Sequence, residues 1–240
     1  MDAASLGKVY LIPLPIVANT QKQVIPAQVI QVIQQLDYFL VENIRTARRY
    51  IASLGHPQPI ADLTFLGIGK HTAAQQVATY MLPVHQGKNV GILSEAGCPG
   101  IADPGALAVQ YAHQHNLEVV PLVGPSSILL ALMASGFNGQ NFVFHGYLPI
   151  NKKERQGSIR KLEKAAWQLK QTQLFIETPY RNQALLLDVL DLCQPDTLLC
   201  IGKNITGHPG WIQAKSIQQW KAKQPNLHKI PAVFLLASPS

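Results

Sequence analysis

Short apolar runs alternate with amphipathic stretches through the first half of the chain. Val9-Tyr10-Leu11-Ile12 reads as a strand, and Val24 to Leu36 then sets Val29, Val32, Ile33 and Leu36 at helical spacing. Tyr38-Phe39-Leu40-Val41 is a second strand, followed by Glu42-Asn43-Ile44-Arg45 and a helix to Leu54. A Pro-rich link, His56-Pro57-Gln58-Pro59, precedes a Leu63-Thr64-Phe65-Leu66 run and a helix from Thr72 to Leu82. Asn89-Val90-Gly91-Ile92-Leu93 has the continuous apolar character of a buried strand; Ala106 to His115 reads as a helix and Glu118 to Pro121 as a strand. Strand and helix alternating in this way predict a mostly parallel sheet with helices on its faces.

Beyond Gly124 the pattern changes. A helix from Ser126 to Ser135, a strand at Phe142 to His145 and a long helix over Lys152 to Gln171 are followed by a Leu174 to Glu177 strand and a helix from Asn182 to Leu192. Three turn-bounded apolar runs close the chain, Thr197 to Ile201, Gly210 to Ala214 and Ala232 to Ala237, and their shortness points to antiparallel pairing. The fold class is therefore α/β with two domains: an N-terminal α/β domain over 1–122 and a C-terminal α+β domain over 123–240. No internal repeat or low-complexity tract interrupts them.

Charge sharpens this division. Residues 1–120 hold seven Lys/Arg and seven Asp/Glu, whereas residues 121–240 hold thirteen against six, so the second half carries the whole net charge of +7. The densest stretch is Lys152, Lys153, Arg155, Arg160, Lys161, Lys164 and Lys170, facing only Glu154 and Glu163. Phosphates neutralised by Lys and Arg release counterions, so a polyanionic partner is one reading and a solvated helix face the other. No apolar run approaches a membrane span, and Met1-Asp2-Ala3-Ala4-Ser5 lacks the basic and apolar regions of a signal peptide, so a cytoplasmic protein is expected. Cys98, Cys193 and Cys200 show no Cys-x-x-Cys spacing, and His113 and His115 on one helix are not at ligand spacing; neither a disulfide framework nor a metal site is expected.

The densest candidate chemistry lies in the loop Ser94-Glu95-Ala96-Gly97-Cys98-Pro99-Gly100-Ile101-Ala102-Asp103-Pro104-Gly105, between an apolar strand and a helix. Its glycines and prolines let backbone approach a ligand closely, which suits a cleft at the carboxyl end of a strand; a plain connecting loop is the alternative. Gly67-Ile68-Gly69-Lys70-His71-Thr72 is not a phosphate loop, because Thr64 stands where the first glycine belongs and His71 where the metal-binding hydroxyl belongs. No Gly-x-Gly-x-x-Gly follows the first strand, so the dinucleotide fingerprint is absent as well.

The 94–105 loop resembles the Ser-Asp-Ala-Gly-Thr-Pro-x-Ile-Ser-Asp-Pro-Gly pattern of the tetrapyrrole methylase superfamily, in the branch similar to small-subunit rRNA ribose 2′-O-methyltransferases. Three further blocks follow in the branch's order: Val119-Val120-Pro121-Leu122-Val123-Gly124-Pro125-Ser126-Ser127, Phe142-Val143-Phe144-His145-Gly146-Tyr147-Leu148-Pro149, and Phe175-Ile176-Glu177-Thr178-Pro179-Tyr180-Arg181. The resemblance implies a two-domain fold with S-adenosylmethionine in the cleft between domains, an RNA acceptor and a homodimer. It implies that Pro15, Ser94, Ala96, Gly97, Cys98, Ile101, Ala102, Ser126, Ser127 and Phe175 line the cofactor. Ser126 also reads as a plain helix N-cap. Glu177 is the candidate catalytic residue, orienting or deprotonating the acceptor; its other reading is a pair with Arg181 one helical turn later. Methylation of a small tetrapyrrole, or cofactor binding without catalysis, are the alternatives.

The chain departs from the branch at three places. Leu14-Pro15-Ile16-Val17-Ala18-Asn19 keeps the proline of Thr-Pro-Ile-Gly-Asn but not its glycine. Asn43 replaces the aspartate of Glu-Asp-Thr-Arg, and Ile205-Thr206-Gly207 stands where the branch has Leu-Thr-Lys.

Overall fold

The computed structural model describes residues 6–239; the Met1 to Ser5 stretch read above for targeting lies outside the described residues. The chain divides into two units between Pro125 and Ser126.

The first unit runs β1 (Lys8–Ile12), α1 (Gln21–Val24), α2 (Ala27–Gln34), β2 (Tyr38–Val41), α3 (Ile44–Ser53), β3 (Thr64–Gly67), α4 (Ala74–His85), β4 (Val90–Leu93), α5 (Ala106–Gln114) and β5 (Glu118–Pro121). Of the helix expected over Val24 to Leu36, Ala27–Gln34 is helical as α2, and Val24 instead ends the short preceding helix α1. Pro26 has no N–H to donate, and it holds its predecessor Ile25 extended at φ −104°, ψ 121°, so the first helix stops and a second begins after the proline.

The five strands form one parallel sheet in the order β3-β2-β4-β1-β5. Successive side chains of a strand point to opposite faces, and both faces here are covered. Phe39 and Val41 join Val29, Ile33, Ala47 and Ile51 of α2 and α3 in one core, whereas Tyr38 and Leu40 join Val77, Met81, Ala108 and Ala112 of α4 and α5 in the other. The chain leaves β1 toward β2 on one side and leaves β4 toward β5 on the other, although β1 and β4 are neighbours. Their loops part in opposite directions, which makes the carboxyl end of this pair the sheet's topological switch point.

The second unit runs α6 (Ser127–Ser135), β6 (Phe142–Tyr147), α7 (Lys152–Leu169), β7 (Thr172–Ile176), α8 (Asn182–Leu192), β8 (Leu198–Lys203), β9 (Trp211–Ser216), α9 (Ile217–Ala222) and β10 (Ala232–Ala237). Its sheet has the order β6-β7-β10-β8-β9. The three closing strands pair antiparallel, as their shortness predicted, and β6 with β7 is the one parallel pair. Helix α6 covers one face through Ala131 and Leu132, and α7, α8 and α9 cover the other through Ile159, Leu186, Val189 and Trp220. Helix α9 escaped the apolar reading because it is short; its cue was local, Ser216 and Gln219 forming a reciprocal capping box.

The basic helix α7 is not uniformly solvent-facing. Arg155 is buried and donates from Nε and Nη2 to Asp188 Oδ2 at 2.8 and 2.6 Å and from Nη1 to the Ile150 carbonyl at 2.9 Å, so it holds α7 to α8 and is removed from the basic surface. Glu163 is also buried, accepting from Gln194 N and Thr197 Oγ1. No helix among the described residues is long and apolar enough to cross a membrane.

Gly91 is a closely packed point of the first sheet. A Cβ there would lie 2.6 Å from Ile12 Cδ1 and 2.8 Å from Phe39 Cδ1, on the strand next to the switch point. Gly91→Val is expected to destabilise the protein by about 1–3 kcal/mol through overpacking, measured as a lower denaturation midpoint at unchanged denaturant slope.

Candidate active site

Three loops meet at the carboxyl edge of the parallel sheet. Leu14, just past β1, donates its N–H to the Gly97 carbonyl at 2.9 Å and accepts the Gly97 N–H at 3.1 Å, so the β1 loop and the 94–105 loop are fastened backbone to backbone. Gly97 makes this pair at φ +68°, a conformation with little cost only for glycine. The loop after β5 closes on both: a Cβ on Gly124 would stand 2.2 Å from Pro13 Cβ, and Cys98 Sγ donates to the Pro125 carbonyl at 3.5 Å. Of the residues expected to line the cofactor, Pro15, Ser94, Ala96, Gly97 and Cys98 belong to this constellation. Ser94 is buried and donates to the Ala96 carbonyl at 3.2 Å.

The rest of the loop diverges. Ile101 is exposed and lines a groove of about 530 Å³ along α5 with Pro99, Gly100 and Val109. Ala102 sits at φ +65°, an uncommon conformation for alanine, and lines a separate cavity of about 250 Å³ with Ile68, Lys70, Asp103 and Leu107. A third cavity, of about 500 Å³, lies on the α3 side, bounded by Pro15, Thr46, Arg49, Tyr50 and Glu95.

Carboxylates gather here too. Glu42 follows β2 and accepts the Glu95 N–H through Oε2 at 3.1 Å. Burial pushes the Asp103 carboxyl up to about 6, reinforced by the nearby Glu42 and opposed by a hydrogen bond with Ser94. Burial likewise raises Glu42 above the ordinary glutamate range. The sequence reading passed over Asp103 as one polar residue of a turn-rich loop. Asn43 is the N-cap of α3, its Oδ1 accepting Arg45 N and Thr46 N at 3.0 and 3.1 Å. Asn and Asp cap equally well, so the exchange keeps the helix start.

In the second unit, Ser126 is the N-cap of α6, accepting Leu129 N at 3.5 Å, and Ser127 is the first helical residue. Phe175 is fully buried and stacks on Phe234 at 5.7 Å between ring centroids, so it is a core residue and presents no surface to a ligand. Glu177 just past β7 realises its alternative reading: Oε1 accepts from Arg181 Nη2 and Thr178 N, both at 2.6 Å. Burial alone would raise this carboxyl, but the Arg181 guanidinium and the Thr178 N–H outweigh it and hold it below the usual carboxylate range.

Four buried side-chain atoms around Glu177 and the β8 loop have no partner among the described residues: Glu177 Oε2, Arg181 Nε, Asn182 Oδ1 and Thr206 Oγ1. They share one edge of the second sheet. Asn182 Nδ2 donates to the Ile230 carbonyl at 2.6 Å and Asn204 N to the Pro231 carbonyl at 2.9 Å, while Ile176 and Gly202 flank Val233 on either side. Buried polar atoms without partners are costly, and their concentration marks a place built to receive polar groups. Sequence reading missed Asn182 and Thr206, whose only cue is tertiary.

No protein-family model matches the chain. Among proteins of known name, it is 28% identical to the ribosomal RNA small subunit methyltransferase I of Vibrio cholerae over 230 residues, 95% of this chain and 76% of that protein. It is 31% identical to the protein of the same name from Helicobacter pylori over 196 residues, 77% of this chain and 66% of that one. The solved structure of the cobalamin biosynthetic enzyme cobalt precorrin-4 methyltransferase, CbiF, aligns over 96% of this chain and 94% of its own with a TM-score of 0.60 at 15% identity, a likeness of fold. In sequence the chain is similar over most of its length to proteins named ribosomal RNA small subunit methyltransferase I, and its fold is that of the tetrapyrrole methyltransferases of known structure.

The departures noted in the sequence fall in loops whose backbone the structure describes. In the β1 loop the left-handed residue is Asn19 at φ +65°, a residue type that tolerates this region, and Val17 is not among the left-handed residues. At Gly207 the 204–210 loop winds around Asn204: a Cβ there would lie 2.5 Å from Asn204 Nδ2, so a side chain at this position would have to displace the Asn204 amide from the Pro209 carbonyl.

Asp103 supplies the pH test of this site. Its folded value lies above the ordinary aspartate value of about 3.9, so the protonated form is favoured in the fold and stability from this group falls as pH rises from about 4 to about 6. Asp103→Asn is expected to remove that decline, so its melting temperature gains most over wild type above about pH 6. Parallel pH profiles for the two proteins would contradict the assignment.

Proposed function

We propose that this chain transfers a methyl group from S-adenosylmethionine to a ribose 2′-hydroxyl of small-subunit ribosomal RNA. The observation that carries this reading is the match over nearly the whole chain to proteins named ribosomal RNA small subunit methyltransferase I. The charge distribution supports it. Asp188 and Glu177 neutralise Arg155 and Arg181 internally, and Lys152, Lys153, Arg160, Lys161, Lys164 and Lys170 remain exposed along one helix. The tetrapyrrole alternative rests on likeness of fold at 15–17% identity, which does not carry a substrate. The reading brings with it a cytoplasmic location and, from the resemblance, a homodimer.

S-adenosylmethionine supplies the methyl, held on a positively charged sulfur. The first unit's residues fit such a group: left-handed Gly97 offers backbone without a side chain where three loops meet. In the second unit, taken by itself, the N-terminus of α6 with Ser126 and Ser127 has the donors that suit a carboxylate. Proximity and orientation would supply most of the rate, because the acceptor oxygen must approach in line with the departing sulfur. Glu177 is the group we assign to the acceptor. With Oε1 fixed by Arg181, its buried Oε2 lacks a partner and can accept the hydroxyl's hydrogen bond or proton. The Phe175 side chain, stacked on Phe234 two residues before Glu177, is given a core role in this reading.

Two experiments test this reading. Tritium from S-adenosyl-[methyl-³H]methionine is expected to pass to small ribosomal subunits, and Glu177→Gln to lower the rate per folded molecule by about a hundredfold. Transfer only to small-molecule pools would refute the RNA acceptor; a loss of melting temperature at normal turnover would leave Glu177 a structural partner of Arg181. Replacing Lys152, Lys153 and Lys161 by alanine, with Arg155 left intact on Asp188, is expected to weaken RNA binding and to flatten its salt dependence by about 0.7 per lost phosphate contact.

A further inference from the structure

The balanced charge of the first half of the chain conceals a local excess. Arg45, Arg48 and Arg49 all lie on α3, all are exposed, and none has an ion-pair partner among the described residues. Arg48 is directed over the Phe65 ring, 5.5 Å from its centroid. Arg49 instead borders the cavity of about 500 Å³ beside the β1 loop, on a face of α3 that also presents Thr46, Tyr50 and Ser53. Across from α3 the walls are Leu14, Pro15, Asn19, Gln21 and Glu95.

Several polar groups around this cavity are without intramolecular work. The Arg49 guanidinium, the Thr46 hydroxyl and the Asn19 amide make no hydrogen bond among the described residues, and Gln21 makes one long contact, to Ser53 Oγ at 3.4 Å. Charge is also ordered. The α3 side is cationic, with Arg45 one turn before Arg49, and the 94–105 loop contributes the one carboxylate, Glu95, beside the Leu14–Gly97 bridge. A cavity of this size, within the range of small-ligand sites, suits a ligand with an anion at one end and hydrogen-bond donors at the other. A nucleotide has that form: its phosphate meets the guanidinium, and its sugar hydroxyls face a carboxylate.

We propose that this cavity binds a phosphodiester and its ribose in the RNA strand, with Arg49 as the phosphate-binding residue. The proposal rests on the RNA reading given above. It adds a specific grip on the strand from the first unit, separate from the basic helix of the second. The shared chemistry also admits a free nucleotide, so the test includes one.

The experiment titrates a fluorescein-labelled single-stranded decaribonucleotide into the full chain across a salt series, with calorimetry of S-adenosylmethionine alongside. Arg49→Ala is expected to weaken oligonucleotide binding about tenfold and reduce its salt slope by about 0.7, the loss of one phosphate contact to a single strand. Arg49→Lys should restore the slope and only part of the affinity, because an ammonium keeps the charge without the planar fork. S-adenosylmethionine affinity should match wild type in both. Equal oligonucleotide affinity and slope in wild type and Arg49→Ala would overturn the site while leaving the RNA reading intact. A selective loss of S-adenosylmethionine affinity would give the cavity to the cofactor, and cytidine monophosphate binding that depends on Arg49 without any effect on the oligonucleotide would give it to a free nucleotide; either result overturns the proposal. If wild type fails to bind the oligonucleotide at all, the RNA reading falls, and this site with it.

Discussion

The pair of backbone hydrogen bonds between Leu14 and Gly97 is the constraint around which the first unit is arranged. An all-parallel sheet cannot use hairpins, so every connection must cross a face, and only at one place do neighbouring strands send their connections opposite ways. Here that place is β1 beside β4. Two loops leaving in opposite directions would ordinarily open a crevice, and the Leu14–Gly97 bridge ties them instead at its floor. The price is conformational: Gly97 must be left-handed, and Gly124 must have no side chain where it meets Pro13. What remains open lies to either side of the bridge, one cavity under α3 and another between β3, α4 and α5.

Much of this was legible in the sequence for a physical reason. Strands buried on both faces are continuous apolar runs, so Tyr38–Val41 and Ala232–Ala237 could be bounded to the residue. The break at Pro26 was also written in the sequence, in a residue whose missing N–H outweighs the helical spacing of the apolar side chains around it. The site was legible as loops and not as chemistry. Glycines and prolines disclose where backbone must turn or approach, whereas the raised Asp103 carboxyl and the orphaned Asn182 and Thr206 atoms depend on residues far away in sequence. Phe175 illustrates the converse. It sits in a motif block beside Glu177, and only packing against Phe234 reveals it as part of the core.

Net charge proved a coarse guide in both halves. In the second unit, cations and carboxylates are partly consumed inside: Arg155 and Asp188 join two helices, and Glu163 ties the end of α8 to α7 through Gln194 and Thr197 without any cation. In the first unit, acids near the strand ends cancel arginines on α3 in the sum but not in space. A phosphate responds to the field within a Debye length, about 8 Å at physiological ionic strength, so the arrangement of charges decides what the surface can hold and the total decides little.

The thiols carry a practical consequence. Cys193 and Cys200 lie in the second unit's core, and burial raises both, Cys200 to about 12, so neither offers a thiolate near neutrality. Cys98 is half-buried and also raised by burial, with its sulfur turned to the Pro125 carbonyl. Maleimide labelling of the native protein should therefore be slow and confined to one sulfur at the rim of the bridged loops. A fluorophore placed there would replace the sulfur's hydrogen bond to Pro125 and would report on the surroundings of the bridged loops with no need to remove the other two cysteines.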